Sequence, residues 1–321
     1  MQGFQRILVG VDIAQLEKPK SAKFSPPAEE AIRQGIWLAG KASASLTFIA
    51  VLDADEHSLD TLPQRDQKRV MRSMENVASG VLDELVGWAQ SAEIKAARTL
   101  KFGKGWVEII REVVNERHDL TIVGTRDLRI VKRMLLGSTA MKLLRKCPGA
   151  VWVTKPAAMS KAGLRNIAVA SDFSPVSDSA LEAGVAVARC AQSQVFLVNS
   201  VDYPLDRMWA TSFLDKTDLK YHASLRLRAE SNLRKQLSRV DTGGLPKAVH
   251  TNIVEGLLNP GIAILDFVKK RNIDLLAMGT MGRGGVEGMF IGNTAERLLP
   301  QLPCSVLAVK PADFICPIKA K

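Results

Sequence analysis

The residues best suited to chemistry lie between Gly279 and Thr294. Gly279 and Gly282 open a glycine-rich run, nine residues (Arg283 to Ile291) separate Gly282 from Gly292, and Asn293 and Thr294 begin a helical pattern. An apolar run, Leu275-Leu276-Ala277-Met278, precedes it. A buried strand that feeds a glycine-rich loop ending on a helix N-terminus suits a phosphate. Glycines let main-chain N–H groups come close to the anion, and the first unpaired amides and the dipole of the helix favour negative charge. Arg283 can add a charge. Asp172, which closes another apolar run (Ile167 to Ser171), can hold a magnesium ion beside such a phosphate. Asp202 is the only obvious second carboxylate for hydrolysis, and a helix or turn cap is its simpler role.

Other chemistry finds no support. Gly282-x-Gly284-x-x-x-Gly288 resembles a dinucleotide fingerprint, but it follows a late strand, where that fingerprint follows the first. A phosphate-loop lysine motif is missing, and His57, His118, His222 and His250 lack metal or triad spacing. Cys147, Cys190, Cys304 and Cys316 form no close pair.

The elements that position the loop occur twice. Asp119-Leu120-Thr121-Ile122-Val123-Gly124-Thr125 returns as Asp274 to Thr280, Gly137-Ser138-Thr139-Ala140 as Gly292 to Ala295, and Lys155-Pro156 as Lys310-Pro311. The offset is 155 residues throughout (274 − 119, 292 − 137, 310 − 155). The chain is a tandem duplication, with domains expected at 1–157 and 163–321 and a polar linker between them. In each half an apolar strand ending on an aspartate (Asp12, Asp172) precedes a helix, Ala28 to Ala42 or Ser177 to Ala191. In the second, a Ser174 hydroxyl cap before Pro175 is expected to start the helix.

Further strands are expected at Leu46–Leu52, Ala96–Phe102 and Ala150–Thr154, and in the second half at Val195–Val201, Lys247–Val254 and Ser305–Val309. Long helices are expected near Arg65–Ala92 and Leu219–Val240. Strands apolar on both faces and alternating with helices make an α/β fold, with a mostly parallel sheet covered on both sides in each half.

The 321 residues suffice for two cores, and the composition, 46% hydrophobic and 24% charged, is that of a soluble globular protein. No apolar run reaches transmembrane length and no signal peptide is read at the start, so the cytoplasm is the expected compartment. The net charge of +11 attracts polyanions, yet much of it falls on helix faces expected to be solvated, and no nucleic-acid-binding motif accompanies it.

The aspartate after the first strand, with Gly-x-x-Gly, nine residues, then Gly-Asn, resembles the nucleotide-binding universal stress protein family over the whole chain, once per half. The surrounding residues resemble its tandem subgroup, universal stress protein E. The resemblance implies two Rossmann-like (adenine nucleotide alpha hydrolase-like) domains of five strands each. It implies ATP or another adenine nucleotide, with or without magnesium, at the carboxyl edge of the sheet. Asp172 is then placed at the ribose, Ser200 at adenine through its main chain, Gly279 and Gly282 around ribose and phosphates, and Gly292, Asn293 and Thr294 at the phosphates.

The halves are unequal. Asp127 stands where the second copy has Gly282, and a carboxylate there repels phosphate. ATP is therefore expected in the second half alone, with at most a remnant pocket in the first. The first half is expected to be structural, its final strands packed against those of the second as an intramolecular pseudo-dimer; a homodimer is the further partner expectation. The resulting expectation is a stress-response nucleotide-binding regulatory module, not a dedicated enzyme. A slow ATPase is one alternative. The other is a binder of an amphipathic or nucleotide-sugar ligand, under the apolar segment Tyr203 to Phe213.

Overall fold

The computed structural model describes residues 3–13, 24–52, 63–125, 136–156, 163–203, 216–256, 259–280 and 293–320. The chain divides into two compact units, Phe4–Pro156 with Ile315–Lys321, and Ala157–Phe314 with Met1–Gly3. The C-terminal residues join the first unit, where Cys316 Sγ lies 3.6 Å from the Lys146 carbonyl oxygen.

The first unit runs β1 (Arg6–Gly10), α1 (Pro26–Ala42), β2 (Ser45–Leu52), α2 (Gln64–Ser91), β3 (Ala96–Phe102), α3 (Gly105–Glu116), β4 (Leu120–Gly124), α4 (Ser138–Lys146) and β5 (Ala150–Thr154). The second repeats it: β6 (Asn166–Ala170), α5 (Pro175–Ala191), β7 (Gln194–Val201), α6 (Lys216–Leu237), β8 (His250–Glu255), α7 (Pro260–Lys270), β9 (Leu275–Gly279), α8 (Asn293–Leu298) and β10 (Ser305–Val309). Strand orders are β3-β2-β1-β4-β5 and β8-β7-β6-β9-β10, and the described pairings within each unit are parallel. The order reverses at β1 and β6, and the cleft at the carboxyl ends there is where such sheets receive ligands.

Two differences from the sequence reading have local causes. β8 starts at His250, not Lys247, because Gly244 holds a positive φ of 76° and Pro246 has no N–H for a ladder. α6 ends at Leu237, short of Val240, as the amides of Arg239 and Val240 turn to the carbonyls of Gln236 and Leu237.

The repeated aspartates of the duplication are clamps at the opposite edge. Asp119 accepts the amides of Gln5 and Arg6 at 2.7 and 3.1 Å, and Asp274 those of Arg165 and Asn166 at 2.8 and 2.9 Å. Each ties the start of the first strand to the start of the fourth. Close helix–sheet packing is repeated too: a Cβ on Gly35 of α1 would lie 2.3 Å from Val9 Cγ2, and one on Gly184 of α5 2.8 Å from Val169 Cγ2.

Gly35→Ala should therefore lower stability by about 1–3 kcal/mol through overpacking. Gly80→Ala, mid-helix in α2 with open space at its Cβ, should raise it by roughly 0.5–1 kcal/mol from helix propensity. Urea unfolding of the two variants checks the opposite signs.

His118 is buried between α3 and β4, and burial holds its pKa below the ordinary 6.5. Folding favours the neutral ring, so its contribution is full above pH 6.5 and is lost as pH falls toward the lower folded value. Thermal melts from pH 7.5 down to about 5 should show stability falling, with a shallower fall in His118→Phe; an identical slope in the variant would assign the effect elsewhere.

Candidate functional site

The carboxyl edge of the second unit is built on a buried polar network. Ser171 Oγ lies 2.5 Å from Gln236 Oε1, Gln236 Nε2 donates to Ser177 Oγ at 3.1 Å, and Ser177 Oγ donates to the Ser174 carbonyl at 2.7 Å. Asn199 Nδ2 donates to the Ser171 carbonyl at 2.8 Å, and the Phe173 amide to Ser171 Oγ at 3.1 Å. These bonds bend the chain sharply after β6, with Phe173 at φ 64°. That left-handed conformation costs a non-glycine residue about 1–2 kcal/mol, which the network offsets.

The turn presents Asp172. Asp172 is exposed, and its Oδ1 accepts both the amide (3.0 Å) and the hydroxyl of Ser174. This corrects the capping expectation. Ser174 occupies the N-cap of α5, but its hydroxyl makes no cap bond and is spent on Asp172.

Ser200 sits one residue before the end of β7, paired with Val254 of β8. The Ser171 amide bonds the Val198 carbonyl at 2.8 Å on one edge of β7, and the Gly256 amide bonds the Val201 carbonyl at 3.0 Å on the other. Because successive strand residues alternate edges, the Ser200 N–H and C=O point to the β6 side, beyond the end of β6. They face the cleft beside Asp172.

Gly279 ends β9, where a Cβ would lie 2.7 Å from Val176 Cγ1 of α5. Its lack of a side chain therefore has a packing cause. Thr280 follows, buried, with its amide and hydroxyl on the Val309 carbonyl at 3.1 and 3.3 Å. Lys310 Nζ donates to Thr280 Oγ1 at 2.8 Å and stands 5.0 Å from the Phe314 ring. Lys310 is buried, and its ammonium meets the hydroxyl of the last described residue before the glycine-rich run. The sequence reading assigned it no role, although its repeat with Lys155 was visible.

Gly282, Arg283 and Gly292 lie outside the described residues, as does the apolar connection after Tyr203. Asn293 and Thr294 begin α8, which spans six residues before a 3-10 turn at Leu299–Gln301 containing Pro300.

An aromatic core cluster lies beyond the end of β7. Tyr203 stacks on His222 at 3.9 Å, meets Tyr221 at 6.5 Å, and donates to Glu255 at 3.3 Å, while Glu255 pairs with Arg226. Burial, then the Glu255 charge, pushes the Tyr203 hydroxyl above its ordinary pKa of 10.0, so it remains a donor at neutral pH. Phe173, Tyr221, Leu225 and Ile253 pack around it.

The same edge of the first unit is open. A cavity of about 740 Å³ is bounded there by Asp12, Val51, Met74, Val77, Thr125 and Ser138, among others. Among the described residues, no cluster of three metal-ligating side chains occurs, and no helix is long and apolar enough to cross a membrane.

Two parallel α/β units of one topology, each with an aspartate-marked cleft where its strand order reverses, define a duplicated Rossmann-like protein. The model of the Universal stress protein family matches residues 3–155 and 163–310, and the chain belongs to that family. It is 25% identical to Universal stress protein E of Photorhabdus laumondii, over 100% of this chain and 99% of that protein. To Universal stress protein E of Escherichia coli K12 it is 24% identical, over 99% and 98%. A universal stress protein structure from Archaeoglobus fulgidus shares the fold with a TM-score of 0.65, at 22% identity, covering 95% of this chain and 98% of that one.

Gly279→Ala should cost about 1–3 kcal/mol of stability with no ligand present. Val176→Ala in the same chain should recover most of the overpacking cost, leaving only the loss due to the smaller side chain. A double-mutant cycle in urea reads the coupling, and additive effects would separate Gly279 from Val176.

Proposed function

We propose that this protein is a nucleotide-responsive regulatory module whose second half binds ATP or a related adenine nucleotide. The observation that carries the reading is the Ser200 main-chain donor and acceptor on the β6 side of β7, beyond the end of β6, where the exposed Asp172 follows. Adenine offers a matching acceptor and donor on its N1/N6 edge, and a ribose diol offers donors to the carboxylate. Lys310, buried against Thr280, would supply positive charge on the phosphate side. Gly282, Arg283, Gly292, Asn293 and Thr294 would complete that side by the sequence pattern. The short α8 makes the loop and Lys310 more important than the helix dipole.

The donor set fits a nucleotide better than a resident metal. One exposed carboxylate, Asp172, can take magnesium only together with phosphate oxygens, which is the ordinary way that ion is held. Ligand binding would order the loop and alter the surface that a partner reads. Phe173 and Tyr221, half-buried around the buried Tyr203, favour a second reading, in which the nucleotide carries an apolar or sugar substituent that packs against them.

Calorimetry with ATP tests the first reading. Binding should be one per chain, and Gly282→Asp, which copies the first half, should abolish it at millimolar ATP. Absence of binding to the wild-type chain would sink the proposal. Native mass spectrometry of ligand retained through purification distinguishes plain from substituted nucleotide.

A further inference from the structure

We propose that the first half carries a ligand site outside the carboxyl-edge cleft, a cavity of about 350 Å³ between the edge strand β3 and α3, and that it takes a free α-amino acid with a polar, uncharged side chain. Its size lies at the small end of small-molecule sites. Among the described residues it shares no lining with the cavity at the carboxyl edge, and it does not depend on the nucleotide reading of the second half.

One face of α3 supplies the charges. Glu108, Arg111, Glu112 and Asn115 follow at helical spacing and line the cavity together. Arg111 Nη1 donates to Glu108, and Lys101 Nζ lies 3.2 Å from Glu112 Oε2. Both carboxylates are buried. Arg111 Nε is buried as well, with no hydrogen-bond partner among the described residues. A guanidinium holds its donors in a fork that matches a carboxylate, so the unmet Nε marks a place for one.

β3 supplies main-chain groups. The Gly103 amide donates to the Leu52 carbonyl at 3.0 Å, and the Lys95 carbonyl accepts the Leu46 amide at 2.9 Å. By strand alternation Leu100 and Phe102 turn their N–H and C=O away from β2, to the open edge of the sheet. Their side chains share the face of Arg98, which binds Asp83 of α2, so it is the main chain that they bring to the cavity.

The fold does not call for these charges. α3 and α7 correspond at the offset of 155, so Glu108, Arg111 and Glu112 answer to Ala263, Asp266 and Phe267 (263 − 108, 266 − 111, 267 − 112). Phe267 is buried and meets the Phe196 ring at 6.0 Å. The second half packs an aromatic side chain where the first buries a carboxylate, and a buried carboxylate is costly to keep. A ligand that uses it accounts for its presence.

The donor and acceptor set selects a zwitterion. Lys101 and Arg111 balance Glu108 and Glu112, which leaves the described lining without net charge. A carboxylate can accept from Arg111 Nε and the Phe102 N–H, and an ammonium can donate to Glu112 and the Leu100 carbonyl. Asn115, exposed at the rim, offers its amide to a hydroxyl or amide side chain. A phosphate would face Glu108 and Glu112 with no ammonium to offset them, and a bare metal ion would have to displace Lys101 and Arg111.

The test is calorimetry of the full chain with L-serine, L-asparagine and L-glutamine. At least one should bind at millimolar concentration, one per chain. The N-acetyl and the carboxamide forms of whichever binds should each be weaker by about tenfold or more, since each lacks one charge. Arg111→Gln should weaken binding by about the same factor. Glu108→Ala combined with Arg111→Gln removes the pair without leaving a buried carboxylate unpaired, and gives the same loss if the single variant melts early. Gly282→Asp, which removes ATP on the second-half reading, should leave amino-acid binding unchanged, so the two proposals fail separately. No binding by any of the three, equal binding of the blocked forms, or unchanged binding in both variants each overturns the proposal.

Discussion

The buried bonds among Ser171, Ser177 and Gln236 are what the second half's site depends on. Gln236 is wholly buried on α6, where the matching position of α2 is the equally buried Leu85. An amide in that place carries a desolvation cost unless its donors and acceptors are met. It meets two hydroxyls, one on the turn after β6 and one in the first turn of α5. That exchange fastens a helix distant in sequence to the short segment that carries Asp172. It also holds Phe173 in a conformation that the segment alone would leave. The position of one exposed carboxylate thus follows from a hydrogen bond made 65 residues further along the chain.

Other constraints belong to the fold and are therefore shared by both halves. The Asp119 and Asp274 clamps join the starts of two neighbouring strands, and Gly35 and Gly184 let a helix approach β1 or β6 closely. Gly279 belongs with these. Its contact with Val176 has a counterpart at Gly124, whose Cβ would meet the Pro27 carbonyl oxygen at 2.6 Å. A glycine that recurs in both copies, only one of which keeps the full loop motif, is explained by packing before ligand.

This separation shows what could be read from the residues alone. β3, β5 and β10 match their expected limits because each is a short strand-forming run bounded by turn residues. The duplication was legible because identical residues recur at one offset. The Ser174 hydroxyl was assigned to a cap because its neighbours in sequence suggest one, whereas its partner is chosen by the turn that Gln236 holds. Gln236 itself reads as one more polar residue on an amphipathic helix, and only the packed structure places it inward. The first-half cavity was expected only as a remnant, since its volume depends on how Met74 and Val77 stand over the sheet edge.

The two halves therefore differ less in fold than in how each fills one edge. A buried ammonium is costly unless its hydrogen-bonding capacity is met. Lys310 is retained in the second half with the Thr280 hydroxyl and the Phe314 ring around it. Asp12 stands at the first half's rim as Asp172 does at the second's, with an apolar wall behind it. Duplication preserved the clamps and the close helix–sheet contacts that make the edge. The aspartates at both rims and the lysines after both final strands recur, so the halves differ first in the loop, where Asp127 replaces Gly282.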